Sequence, residues 1–184
     1  GLPPEERTQT VYVISSDTLV ETPVIVDYIT DALALINRAA EAQNMPFVAR
    51  KLSPILDDTF WVNLIGRGYP APRPKFRWCT ERLKIKPSNN FIRSMVAAHG
   101  EVILVLGIRK AESQARARAM DRAEKGRVCD RLSPNASLPN SLIYSPVEAW
   151  TTDEVWIFLM EQANPLGYNN KDLLQIYQGA SDDG

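Results

Sequence analysis

The sequence is poor in the side chains that build disulfide-linked or metal-bound scaffolds. Its 184 residues include two cysteines, Cys79 and Cys129, and one histidine, His99. Two cysteines exclude a disulfide framework, and a single histidine excludes a histidine-rich metal site. The sequence also lacks any uninterrupted apolar run of the roughly 18 residues that a membrane-spanning helix needs. We therefore expect a globular protein of the reducing cytoplasm.

The composition is that of an ordinary globular protein, but the charges are unevenly distributed. Hydrophobic residues make up 45% and charged residues 23% of the chain, and the formal net charge is −1. Residues 73–131 hold 15 Lys and Arg against 6 Asp and Glu. The whole chain has 21 Lys and Arg and 22 Asp and Glu, so the residues outside this segment include 6 Lys and Arg against 16 Asp and Glu. This basic middle predicts an anionic partner, with a solvated charged face as the alternative.

Hydrophobic periodicity predicts strands that alternate with helices. Short β-branched and aromatic runs predict strands over residues 10–14, 46–52, 101–107 and 142–144. Apolar residues three and four apart predict an amphipathic helix over residues 23–43. Further helices are predicted over residues 57–65, 78–86, 88–99, 110–126, 151–162 and 170–178, of which residues 110–126 are basic and rich in alanine. We expect Pro87 to separate two of these helices and residues 133–141 to form a loop. The pattern predicts an α/β fold in a single domain, with a mainly parallel sheet flanked by helices.

Polar clusters follow two of the predicted strands, at the sheet edge where α/β proteins bind ligands. Residues 15–18 follow the first strand, and residues 107–113 follow the third. Gly107 lets a ligand approach the backbone closely, and Arg109 and Lys110 stand near the positive end of the next helix. Arginine offers a fork of donors that suits phosphate oxygens. This cluster predicts a phosphate site, and the alternative is a basic helix start on the surface.

Residues 73–87 combine six cations with Phe76 and Trp78. Such a mixture contacts phosphates and stacks on bases, which predicts binding of a nucleotide or a nucleic acid. Arg82 and Lys86 are four residues apart and would share a helix face. The alternative is a solvated basic loop with Trp78 in the core.

Three further side chains are candidates for chemistry. Cys79 lies among these cations, which favour a reactive thiolate, whereas a lone cysteine is more often a small buried hydrophobe. Asp17 and Glu21 could serve a metal ion or a ribose. The alternative for Asp17 is that its carboxylate caps a turn.

Four segments, in this order along the chain, resemble motifs of one family, the adenylyl-sulfate and phosphoadenylyl-sulfate (PAPS) reductases of the PP-loop ATP pyrophosphatases. Residues 17–23 resemble its D-T-G-x-x-x-P-E-T loop, and residues 77–87 resemble its R-x-C…K-x-x-P segment. Residues 107–116 resemble its G-x-R-x-x-E-S-x-x-R segment, and residues 145–156 resemble its P-x-x-x-W-x-x-x-E-V-W element. Each match is weak alone, but together the four are specific.

Within this family, residues 77–87 and 107–113 are most similar to the DndC branch, whose members act in DNA phosphorothioation. The resemblance implies the replacement of a DNA phosphate oxygen by sulfur. It implies ATP with Mg²⁺, cleavage of ATP between its α- and β-phosphates, an adenylated intermediate and a 4Fe–4S cluster. The implied partners are DNA, other Dnd proteins and a cysteine desulfurase as the sulfur donor.

The resemblance also implies roles for particular residues. Catalytic roles fall to Arg109, Arg116 and Cys79, the last as a cluster ligand or a sulfur carrier. Nucleotide binding falls to Ser16, Asp17, Thr18, Gly107, Arg109, Glu112 and Ser113. Contacts to DNA or to phosphate fall to Arg77, Arg82, Lys84, Lys86 and Lys110.

The sequence departs from the family pattern in two respects. The phosphate loop S-G-G-K-D-S is expected just before residue 1, and the four cluster cysteines are expected beyond Gly184. We therefore expect a PAPS reductase-like domain, incomplete at both ends, that by itself lacks a complete ATP site and the cluster. Two alternatives stay open. One is a PAPS-type reductase that acts on a small sulfonucleotide, and the other is a non-catalytic module that binds DNA or a partner.

Overall fold

The computed structural model describes residues 3–74, 76–129, 131–164 and 169–171. The chain divides into two compact units, residues 1–91 and residues 92–184. Each unit contains a pair of parallel strands with helices next to them in the chain, which confirms the predicted α/β class. The expected single domain stays a prediction. Among the described residues, no helix is both long enough and apolar enough to cross a membrane.

The first unit opens with the strand, helix and strand that the periodicity predicts. After a 3₁₀ turn (Pro4–Glu6) come β1 (Val11–Ser16), α1 (Pro23–Ala42) and β2 (Phe47–Leu52). The two strands are parallel, in a register that pairs Val11 with Phe47. Asn37 of α1 pairs with the backbone of Ala49 in β2. Its side-chain oxygen accepts the Ala49 N–H at 2.8 Å, and its side-chain nitrogen donates to the Ala49 carbonyl at 3.1 Å.

The rest of the first unit consists of short helical turns around a buried tryptophan. Its elements are a 3₁₀ turn (Leu56–Asp58), a π-helix (Val62–Gly66), α2 (Trp78–Thr80), a second π-helix (Glu81–Ile85) and the start of α3 (Lys86–His99). Trp78 is buried, and its ring stacks on Phe60 and meets Tyr69 edge-on, each at a centroid distance of 5.4 Å. The indole N–H donates to the carbonyl of Pro70 at 3.0 Å. Trp78 is therefore a core residue.

Pro87 does not separate two helices, and that prediction was wrong. The second π-helix closes with a bond from the Lys86 N–H to the carbonyl of Glu81, and α3 begins at Lys86. Pro87 thus lies in the first turn of α3, a position that tolerates a residue without an N–H. The wider π turn before it changes the hydrogen-bond pattern, so helical structure continues across the proline.

The second unit contains a mixed sheet. Its strands are β3 (Val102–Val105), β4 (Leu132–Pro134) and β5 (Ser141–Tyr144), in the spatial order β3-β5-β4. β3 and β5 are parallel, whereas β4 and β5 are antiparallel. β4 falls partly in the segment predicted as a loop and β5 begins at its last residue, so that prediction was wrong for residues 133, 134 and 141. Because Pro134 ends a short strand at one side of the described sheet, it removes no hydrogen bond from a central strand.

The helices of the second unit are α4 (Gln114–Glu124) and α5 (Thr152–Glu161). The predicted helix over residues 110–126 is interrupted, because Lys110–Glu112 form a 3₁₀ turn and Ser113 caps α4. The Ser113 hydroxyl accepts the N–H of Arg116 at 3.2 Å, and a serine that binds backbone donors in this way starts a helix. Of the predicted helix over residues 170–178, only residues 170 and 171 are described, and they form a turn.

Candidate functional site

The first unit contains a cavity of about 640 Å³. The loop after β1 contributes Thr18, Val20 and Glu21 to its wall, and Phe60 contributes an aromatic ring. The segment around α2 contributes Pro72, Arg73, Pro74, Arg77, Cys79, Thr80, Leu83 and Lys84. Two segments that resemble separate motifs of one family therefore surround one space.

Asp17 shapes the loop that lines this cavity. Its carboxylate accepts the N–H of Leu19 at 2.9 Å and lies 3.1 Å from the Lys51 ammonium. Leu19 has a φ of 61°, in the left-handed region that an ordinary L-residue avoids. Asp17 is buried and is not part of the cavity wall, so the turn-capping interpretation describes its contacts in this structure. Ser16 ends β1 just before it.

Thr18 and Glu21 form the polar side of the cavity. The Thr18 hydroxyl donates to a carboxylate oxygen of Glu21 at 2.9 Å. The same oxygen lies 4.0 Å from the Lys84 ammonium across the cavity wall. Both contacts hold the Glu21 carboxylate in place, where a ligand hydroxyl would find an acceptor.

The opposite side of the cavity is cationic. Arg73, Arg77 and Lys84 are exposed at its wall, against the single carboxylate of Glu21. The resulting surplus of positive charge suits an anion with several oxygens. Cys79, which is half-buried, lies on the same wall. The structure thus brings together four of the predicted site residues, Thr18, Arg77, Cys79 and Lys84.

Arg82 and Lys86, two of the predicted phosphate contacts, bind a carboxylate of the protein itself. Asp58 is 3% exposed. One of its oxygens lies 2.5 Å from the Arg82 guanidinium, and the other accepts a hydrogen bond from Lys86. The hydrogen bond from Lys86, together with that from Arg82, holds the pKa of Asp58 below its usual value, while Asp58 raises the pKa of Arg82. The predicted contacts of these two cations to DNA or phosphate stay predictions.

Sequence reasoning missed Asp58, although one signal pointed towards it. The spacing of Arg82 and Lys86 places both side chains on one helix face, and two cations so placed can share one acceptor. Nothing local identifies which of the 22 acidic residues is that acceptor, because Asp58 lies 24 residues before Arg82.

In the second unit, the predicted phosphate cluster surrounds the end of β3. The Leu106 N–H still donates to the carbonyl of Tyr144 at 2.9 Å, and Gly107 follows. A Cβ built at Gly107 would meet no atom within 4 Å, so the space beside this backbone is open. Such a position allows a ligand to approach the peptide closely.

Glu112 holds two arginines at this end of β3. Its carboxylate oxygens lie 3.7 Å from Nε of Arg109 and 3.0 Å from Nε of Arg116. The Arg109 guanidinium also donates to the Thr152 hydroxyl at 3.3 Å. One carboxylate against two guanidiniums leaves this cluster with a positive charge, as a phosphate site requires.

Lys110 pairs with acidic residues of α4, although it directly follows Arg109 in the sequence. Its ammonium lies 2.8 Å from Asp121 and 2.5 Å from Glu124. These hydrogen bonds, first that to Asp121 and then that to Glu124, raise the pKa of Lys110. Lys110 thereby fixes the 3₁₀ turn against α4, and its predicted contact to phosphate stays a prediction.

The residues present do not by themselves fit the iron–sulfur cluster that the resemblance implies. A four-iron cluster is usually held by four thiolates, and the sequence has two cysteines. Cys79 is half-buried in the first unit, and Cys129 is exposed in the second. Among the residues that the structure describes, no group of three His, Cys, Asp or Glu side chains is arranged to hold a metal ion.

Comparisons with known proteins find similarity of low sequence identity. No protein-family model matches the sequence. The chain is 29% identical over 115 residues to the uncharacterized protein MJ0066 of Methanocaldococcus jannaschii. The match covers 62% of this chain and 21% of that protein, so the chain spans about a fifth of the length of its curated relative.

Among solved structures, the chain is similar to phosphoadenylyl-sulfate (PAPS) reductase from Candida auris, crystallised as a phosphate complex. The TM-score is 0.48 and the sequence identity is 19%, over 92% of this chain and 67% of that chain. At this degree of likeness, substrate and activity have to be argued from the residues of this chain.

Proposed function

We propose that this chain is the nucleotide-handling part of a PAPS reductase-family enzyme that activates DNA phosphates for sulfur replacement, as in the DndC branch. One observation carries the proposal. The segments 17–23 and 77–87, which resemble two motifs of that family, line the same cavity of the first unit. A shared cavity is what two motifs of one active site require, whereas unrelated chance matches have no reason to meet.

The size and lining of the cavity suit a nucleotide. A volume of about 640 Å³ lies within the range of roughly 300–1,000 Å³ that is usual for small-molecule sites. Arg73, Arg77 and Lys84 would pair with phosphate oxygens, and the ring of Phe60 offers an apolar surface to a base. Duplex DNA is too large for this space and would bind on an exposed surface.

The proposed reaction has two displacements. An oxygen of a DNA phosphate attacks the α-phosphorus of ATP, and pyrophosphate leaves with the electrons of the broken bond. A sulfur nucleophile then attacks the adenylated DNA phosphorus and displaces AMP. The family resemblance assigns to Arg109 and Arg116 the stabilisation of the negative charge that develops in the first step, as fixed cations provide in phosphoryl transfer. A cysteine desulfurase would charge Cys79 as a persulfide, whose outer sulfur is the attacking nucleophile. A thiol reductant then breaks the sulfur–sulfur bond, which leaves the phosphorothioate on the DNA and a disulfide between Cys79 and that thiol.

The first test measures pyrophosphate release from ATP by the full-length protein, with and without duplex DNA. We expect release that DNA stimulates and that Arg109→Ala lowers by about 100-fold or more. The matched control is Arg38→Ala, since Arg38 is exposed on α1 and does not line the cavity. Release of orthophosphate alone, or no nucleotide turnover, would overturn the proposed adenylation. Turnover of PAPS without any effect of DNA would instead identify a small-molecule reductase.

A further inference from the structure

Three cations follow one another along a single face of α4. Arg118 and Arg122 are four residues apart, and Lys125, at the C-cap of the helix, comes three residues later, so the three side chains are neighbours. All three are exposed, whereas Met120 on the opposite side of the helix is buried. Arg118, Arg122 and Lys125 are called the α4 stripe below.

The α4 stripe holds the positive charge that remains after the nearby acids are neutralised. Glu112 pairs with Arg109 and Arg116, and Lys110 pairs with both Asp121 and Glu124. Within the described part of the chain, no member of the stripe lies within 4.0 Å of a carboxylate. Nε of Arg122 donates to the carbonyl of Arg118 at 3.2 Å, which lays this guanidinium along the helix surface.

Adjacent like charges on a helix repel one another, which is a cost in folding free energy. An anionic partner would turn this cost into attraction. On one side of the stripe the exposed neighbours Ala115 and Ala119 are short, so an extended partner can approach the helix closely from that side. On the other side lies Asp121, whose carboxylate is paired with Lys110. Both features favour a polyanion over a small ion.

We propose that the α4 stripe binds the sugar–phosphate backbone of duplex DNA. At about 1.5 Å of rise per residue, Arg118 and Lys125 lie roughly 10 Å apart along the helix axis. Duplex DNA carries one negative charge per roughly 1.7 Å of its axis, so a stripe of this length can contact more than one phosphate. The inference rests on the proposed function, because it takes DNA to be the substrate, and it assigns the DNA contact to residues outside the cavity.

The test compares two charge-matched variants of the full-length protein. The stripe variant carries Arg118→Gln, Arg122→Gln and Lys125→Gln, and the control variant carries Arg38→Gln, Arg50→Gln and Lys171→Gln. Both lose three positive charges, and thermal unfolding verifies that each is folded. The affinity for a labelled duplex of arbitrary sequence is measured by fluorescence anisotropy at a series of salt concentrations.

The stripe variant should lose about tenfold or more in DNA affinity at low salt, and the slope of log K against log salt should fall by about 2 to 3. The control variant should stay close to wild type. Equal losses in both variants would overturn the inference and leave the proposed function standing, since the wild-type protein would still bind DNA. A wild-type protein that binds no duplex would overturn the inference together with the DNA part of the proposed function. The Arg109→Ala test of nucleotide turnover is independent of these outcomes.

Discussion

The guanidinium of Arg82 lies 2.5 Å from the carboxylate of Asp58, which precedes it by 24 residues. Arg82 also donates to the Tyr69 hydroxyl at 3.0 Å, and its charge lies 5.3 Å from the centre of the Tyr69 ring. Together with Lys86, which binds the other oxygen of Asp58, these contacts link the 3₁₀ turn of Leu56–Asp58 to α3. Arg82, which the sequence predicts to contact phosphate, therefore binds other residues of the first unit in this structure.

Replacing this carboxylate should destabilise the protein. We expect Asp58→Asn to lower the free energy of unfolding by about 2 to 3 kcal/mol at pH 7, because two cations lose a buried partner. Chemical denaturation of both proteins measures the difference. The control is Asp57→Asn, since Asp57 is 75% exposed and lies 3.4 Å from Arg67. A surface pair of this kind contributes about 0 to 1 kcal/mol.

The effect of Asp58→Asn should also depend on pH. The pKa of Asp58 is lower in the folded protein than in the unfolded chain, so the folded state binds fewer protons there. The stabilisation is complete above the unfolded pKa of about 4 and is lost as the pH falls through the lower folded pKa. Wild type and Asp58→Asn should therefore converge in stability below about pH 4. A difference that stays constant through this range would contradict the charge-based explanation.

The backbone conformation of Leu19 suggests a substitution that should stabilise the protein. Its φ of 61° strains an L-residue, and the family motif that this loop resembles has glycine at that place. We expect Leu19→Gly to raise the free energy of unfolding by about 0.5 to 1 kcal/mol, after the greater freedom of glycine in the unfolded chain is subtracted. Thermal or chemical denaturation measures the change.

Gly68 provides the reverse control for this substitution. It has a φ of 66°, and a Cβ at this position would meet no atom within 4 Å, so backbone strain alone decides the effect. Gly68→Ala should destabilise the protein by about 1 kcal/mol. Two changes of the same sign would contradict the strain argument.

The variant Arg77→Ala tests whether the cavity binds a nucleotide. Removal of one exposed cation from the wall should weaken ATP binding by about tenfold, the usual effect of losing a charge-assisted hydrogen bond to phosphate. Isothermal titration of ATP into the full-length Arg77→Ala protein measures this loss. Arg38→Ala should bind ATP as wild type does, and equal affinities of the two variants would argue against phosphate binding at this wall.

The two cysteines separate sulfur delivery from nucleotide chemistry. Cys79→Ser should lower the yield of phosphorothioate linkages by about tenfold or more, because a serine hydroxyl cannot carry a transferable sulfur. Its pyrophosphate release should stay within about threefold of wild type. Mass spectrometry of digested DNA measures the linkages. Cys129→Ser, which changes an exposed cysteine of the second unit, should leave both readouts unchanged, and a matching loss in that variant would refute the role of Cys79.

The elements that the sequence predicts best are those whose signals are local. β1, α1 and β2 lie within one or two residues of their predicted bounds, because β-branched runs, Pro23 and the apolar spacing of α1 each act over a few residues. The wrong predictions concern two elements that depend on other parts of the chain. β4 exists because it pairs with β5, and Pro87 is accommodated by the π turn before it. Neither effect can be read from a single residue type.

The alternation of strands and helices, the basic middle of the chain and the four ordered motifs follow from the amino-acid sequence alone, because they are properties of composition and spacing. Which partners the cations bind depends on how the chain packs. Packing brings Asp58 to Arg82 and Lys86, and it brings Asp121 and Glu124 to Lys110, while the α4 stripe keeps its charge. The physical reason is that ion pairing depends on distances of a few ångströms, and folding sets those distances between residues far apart in the chain.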